Sequence, residues 1–142
     1  MASVVLVCPY MQNTAKKILI VDDNDAGRES LGVSIKGFGY EVVEAATGPE
    51  AIDTASKIHP DLIMMSLRLP GMGGDEATKR LKANLSTRNI PVVINTPWTT
   101  AWNVADRVDR ALMAGAEEIL YRPFHATMLR QVLRAYLPTC YE

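Results

Sequence analysis

Cysteine is nearly absent from this sequence. Cys8 and Cys140 sit near opposite ends, in no spacing that suits a metal, which excludes a zinc site and a disulfide-dense scaffold. Two free thiols in a reducing compartment are expected, with a bond between the termini as the alternative. Long apolar runs are also missing. The early segment "VVLVC" is too short for the apolar part of a secretory signal and has no basic segment before it. No run approaches the ~20 apolar residues that a membrane span needs, so the cytoplasm is the expected location. Neither sign of charge dominates: 15 Lys+Arg against 16 Asp+Glu leave a formal net charge of -1. That balance offers no electrostatic footprint for nucleic acid or an anionic membrane. The glycines of "PGMGG" lack the Gly-Lys-Ser/Thr that would make a phosphate loop. They are expected to shape a turn.

What is present is an ordinary globular composition, 48% hydrophobic and 22% charged over 142 residues, enough for one domain with a sizeable core. Short β-branched or apolar runs alternate with helical patterns. "KILIV" precedes a polar cluster and a helix carrying Leu31, Ile35 and Phe38 on one face. "YEVVEA" precedes "GPEAIDTASKI", where Pro49 suits a first helical turn. "DLIMM" is the third strand and "DEATKRLKANL" the third helix. "IPVVIN" leads to a long helix that ends before Gly115, and "AEEIL" makes a fifth strand. "TMLRQVLRAYL" closes the chain and is expected to bury Met128, Leu129, Val132, Leu133 and Tyr136.

Such alternation means βαβ units: a parallel sheet covered by helices on both faces, an α/β three-layer, doubly wound, flavodoxin-like sandwich. The expected strand order is 2-1-3-4-5. The domain is placed at residues 16–138, with an N-terminal extension at 1–15 and a short tail at 139–142. Ligands and chemistry in such folds gather beyond the carboxyl ends of the strands. There the sequence sets Asp22, Asp23, Ser66, Asn95, Thr96 and Arg122.

The segments "ILIVDDND", "GYEVVEAATGPEAI", "HPDLIMMSLRLPGMGG", "IPVVINT" and "GAEEILYRPF", in this order and spacing, resemble the receiver domains of two-component response regulators, the CheY-like family. The resemblance runs from about Lys16 to Leu137. It implies that Asp22 and Asp23 match the family's acidic pair and that Thr96 matches its switch hydroxyl. Ser66 stands where the family has its phosphate-accepting aspartate, and Arg122 stands where it has a lysine. Ile119 replaces the switch aromatic. A cis bond before Pro123 is implied as well.

Phosphoryl transfer is largely positioning and charge neutralisation. Magnesium takes one or two carboxylates plus waters, and here Asp22, Asp23 and Arg122 leave a charge of only about -1. Mg²⁺ is therefore expected to bind weakly or not at all, and no other cofactor is implied. The acidic pair could serve as metal ligands or as half of an ion-pair network with Arg122. A serine nucleophile needs an adjacent base, and neither His59 in its loop nor His125 beside the last helix supplies one. Ser66 reads as a relic of the acceptor.

The expected function is a stand-alone pseudo-receiver: not an enzyme, signalling through protein contacts without aspartate phosphorylation, with no output domain following. Candidate partners are a histidine kinase, an output protein or a second copy of the chain; nucleic acid and membrane are not expected. Trp98, Trp102 and Tyr121 form a candidate partner face. In the helix near them, Val104, Val108, Ala111 and Leu112 should point inward and Arg107 and Arg110 outward. Two alternatives stand: a phosphorylatable regulator using Asp22 or Asp23, and a flavodoxin-like small-molecule binder. The latter needs a phosphate-cradling loop where "VDDNDAG" places carboxylates.

Overall fold

The computed structural model describes residues 15–99 and 102–138, with side chains from Val104 onward in the second stretch. Residues 1–14, the tail at 139–142, Cys8, Cys140 and the side chain of Trp102 lie outside the described residues. Five strands alternate with five helices: β1 (Lys17–Val21), α1 (Asp25–Gly37), β2 (Glu41–Ala45), α2 (Gly48–Ile58), β3 (Leu62–Ser66), α3 (Gly74–Ala83), β4 (Val92–Pro97), α4 (Trp102–Ala114), β5 (Glu118–Arg122) and α5 (Ala126–Tyr136). The strands form one sheet in the order β2-β1-β3-β4-β5, every pair parallel. The expected α/β architecture and strand order are those observed.

The central strands β1, β3 and β4 are buried on both faces, which is why "LIMMS" runs apolar instead of alternating. Leu19, Ile63, Met65, Val92 and Ile94 pack on one side against Ala51 and Ala55 of α2, Leu81 of α3 and Ala111 of α4. Ile18, Ile20, Met64 and Val93 pack on the other side against Ile35 of α1 and Leu129 and Leu133 of α5. At about 1.5–3 kcal/mol per buried aliphatic side chain, these two layers are the main driving force of the fold.

Local signals set the helix ends. Asn24 caps α1, its side-chain oxygen accepting from the Gly27 N–H at 2.8 Å. Thr47 caps α2 by accepting from the Glu50 N–H at 3.2 Å, and Pro49 occupies the first turn. Gly115 ends α4 with φ +115, a conformation in which a side chain would be strained.

Four expectations are corrected. β5 begins two residues later than "AEEIL", at Glu118. The Ala116 N–H instead bonds back to the Ala111 carbonyl, finishing α4. The Glu117 side chain pairs with Lys82 and accepts from the Val92 N–H. Met128 is 48% exposed; the buried stripe of α5 is centred on Leu129 and Leu133, which rotates Met128 off the core. In α4, Leu112 is also exposed, and Arg107 turns inward.

Candidate functional site at the strand ends

The carboxyl ends of β1, β3, β4 and β5 converge on a cleft of about 420 Å³ whose lining includes Asp22, Asp23, Ser66, Thr96, Arg107 and Arg122. Asp22 follows β1 directly and is buried. One carboxylate oxygen accepts from the Asn24 N–H at 3.0 Å, which fixes the loop entering α1. Asp23 is exposed. Arg28 of α1 braces the same loop. It donates to the Asp22 carbonyl at 2.6 Å, to Asp25 at 2.6 Å and to Glu44 at 3.1 Å. The Asp25 hydrogen bond, outweighing the opposing effect of burial, holds its guanidinium above the usual arginine range.

Ser66 ends β3, is 5% exposed and stands in register with Asn95 of β4. Its hydroxyl donates to the Arg68 carbonyl at 3.4 Å, a long contact. No histidine lines the cleft: His59 caps α2 in the left-handed region, and His125 sits at the N-cap of α5. An imidazole base for Ser66 is thus missing among the described residues of the cleft. Thr96 is buried in β4, beside Tyr121 of β5, and Pro97 is paired with Arg122. The Arg122–Pro123 bond is cis, as the resemblance implied.

Of the two readings of the acidic pair, metal ligands or an ion-pair network with Arg122, the ion pair does not form among the described residues. Among the described residues the Arg122 guanidinium has no ion pair or hydrogen bond, and its Nε is buried without a partner. Alternation places Arg122 and Asp22 on one side of the sheet, Asp22 standing two residues after Ile20. Leu120 packs on the α1/α5 side of the sheet, and Arg122, two residues on, follows it to that side. The cation that the sequence reading missed is Arg107. From α4 it donates to the Leu67 carbonyl at 2.9 Å and to Asp75 at 3.3 Å, tying α4 to the loop after β3. The signal was its spacing: Arg107 lies three residues after Val104 and four before Ala111, on the inward stripe itself. Glycine makes room for it, because a Cβ on Gly73 would stand 2.0 Å from an Arg107 nitrogen.

Of the candidate partner face, Trp98 is 68% exposed and stacks edge-on against Tyr121, ring centroids 5.1 Å apart. Two adjacent carboxylates are the acidic ligands available for a divalent ion. No group of three or more His, Cys, Asp or Glu able to hold a metal occurs among the described residues.

The model of the family described as response regulator receiver domain matches residues 18–134. The polar-differentiation response regulator DivK of Brucella ovis is 33% identical over 122 residues, covering 86% of this chain and 96% of that protein. The sporulation initiation phosphotransferase F of Bacillus subtilis is 35% identical over 123 residues, covering 87% and 94%. Among solved structures, the receiver domain of a sensor histidine kinase from Pseudomonas aeruginosa superposes with a TM-score of 0.77 at 28% identity, covering 89% of this chain and all of that one. That structure has a magnesium ion coordinated in its active-site cleft.

Proposed function

This chain belongs to the response regulator receiver domain family, and we propose that it is a pseudo-receiver, passing a signal by protein contact without phosphorylation of an aspartate. The observation that carries this reading is Ser66. It occupies the end of the central strand, is buried, and among the described residues no histidine lines its cleft. A hydroxyl there can form only a phosphate ester, which lacks the reactivity of the acyl phosphate that an aspartate makes. Arg122 lines the same cleft but makes no ion pair with Asp22 or Asp23 among the described residues.

Two-component receivers work with histidine kinases and output proteins, and a protein of one of these kinds is the partner proposed here, met in the cytoplasm. The exposed Trp98–Tyr121 pair supplies rigid aromatic area of the kind that anchors protein interfaces. Mg²⁺ binding is weak on this reading, because Asp22 already spends one oxygen on the Asn24 N–H and a third carboxylate is missing.

Incubation with acetyl phosphate and Mg²⁺, followed by intact mass, tests the proposal. The mass is expected to stay unchanged. The increment of one phosphoryl group would overturn it. Mapping of that group to Asp23, which is exposed at the cleft, would establish the phosphorylatable alternative.

A further inference from the structure

Glycine is spread unevenly over the five helices. In α2 and α3 it stands only at the first position, and packing demands it there. A Cβ on Gly74 would collide with the Ser66 carbonyl, and one on Gly48 would press on the Met72 sulfur at 3.1 Å. α4 and α5 contain none. α1 alone carries glycine in its interior, at Gly27 and Gly32. Gly32 answers to no steric demand: a Cβ there would meet Val42 Cγ1 at 3.7 Å and Ile20 Cδ1 at 3.8 Å, ordinary contact. Four residues that follow it, Val33, Ser34, Ile35 and Gly37, are also poorer helix formers than alanine or leucine.

The two halves of α1 are held differently. Asn24 caps the first turn, and Arg28 ties it to the Asp22 carbonyl, Asp25 and Glu44. In the second half Ile35 is the one large side chain that is fully buried, and Val33 is 66% exposed. Two gaps separate this half from α5. One of about 300 Å³ is lined by Leu31, Ser34, Phe124 and Leu129 among others, and one of about 210 Å³ by Phe38, Ala126 and Arg130 among others. Side chains that border a gap forgo dispersion contacts on that side. We propose that residues 33–38 form a flap that unfolds locally while the first half of α1 and the sheet stay folded. Gly32 bounds it on one side and Gly39, in the left-handed region at φ +97, on the other. Opening lifts Ile35 and Phe38 off the layer that they share with Ile20, Leu129 and Leu133. It also joins the two gaps, which both reach Ala126 of α5. The flap belongs to the α1/α5 side of the sheet, away from α4, and its opening is independent of the chemistry at Ser66.

Native-state hydrogen exchange of the full chain, read amide by amide, tests this. Amides of residues 33–38 are expected to exchange roughly a hundredfold faster than those of β3. Their rates should stay nearly flat in low urea, because a local opening exposes little surface, while those of β3 climb. Gly32→Ala is expected to fold and to slow the exchange of the flap about fivefold, the ~1 kcal/mol by which alanine exceeds glycine in a helix. The urea dependence is read on the unaltered protein, so the test survives a variant that fails to fold. Exchange of residues 33–38 at the rate and urea slope of β3 means that α1 unfolds only with the whole molecule, and it overturns the proposal. So does equally fast exchange at residues 29–31, which would mean that the helix opens as one piece. A folded Gly32→Ala variant whose flap exchanges as before overturns it too.

Discussion

Replacing Ser66 by aspartate alone is expected to leave the protein unphosphorylated by acetyl phosphate, as read by intact mass. The acceptor returns, but the cation at the lysine's place is still a bulkier, planar arginine whose Nε is buried without a partner. Stable phosphorylation of the single variant would show that Arg122 can stand in for the lysine. Arg107 lends itself to a double-mutant cycle. Arg107→Ala removes hydrogen bonds to the Leu67 carbonyl and Asp75 and should cost about 1–2 kcal/mol in denaturant unfolding. Gly73→Ala should be destabilising on its own, because its Cβ collides with that guanidinium. In the Arg107→Ala background part of that penalty should vanish, the Asp75 carboxylate oxygen at 2.6 Å from the same Cβ remaining; simple additivity would show that the two do not interlock. Tyr136 offers a titration. Its hydroxyl donates to Glu118 at 3.0 Å and to the Glu117 carbonyl at 3.2 Å. Burial first, then the Glu118 bond, pushes its pKa up to about 12. The folded value exceeds the unfolded value of ~10, so its contribution to stability is complete below pH ~10 and fades as pH rises further. An ultraviolet difference titration between the protein and Tyr136→Phe should show a midpoint clearly above 10; a midpoint at the free-tyrosine value would mean the contact opens in solution.

At the level of elements, the βα alternation was legible because a strand buried on both faces must be an unbroken apolar run, and each helix carries its own cap and stripe. Ends were less legible. "AEEIL" looked like a strand from its composition, yet Ala116 is claimed by α4 and Glu117 by Lys82, partners that are remote or belong to the preceding helix. For the same reason the site was half visible. Asp22, Asp23, Ser66, Thr96 and Arg122 come together as strand order dictates. The direction of Arg122 and the inward turn of Arg107 depend on packing that periodicity only hints at. With α4 tied to the loop after β3 through Arg107, the Trp98 region should hold one conformation. Tryptophan emission is therefore expected to stay constant on adding Mg²⁺ with beryllofluoride, a phosphoryl mimic. A clear spectral shift on adding both would mean that the receiver switch still operates.

Across the whole molecule, the sheet separates two apolar layers that share no helix. Leu81→Ala empties one layer and Leu133→Ala the other, each at about 2–5 kcal/mol. Because the sites have no common helix, the double variant should lose close to the sum in denaturant unfolding. A large departure from additivity would mean that the sheet transmits strain between its faces. The strand order has a further consequence, for how the chain is made. β1 and β2 can pair first; β3 then docks on the free edge of β1, β4 on β3, and β5 on β4. No strand has to be threaded between two that are already paired. A ribosome releasing the chain from its N-terminal end therefore presents each strand as its neighbour becomes available, so the sheet can widen in the order of synthesis.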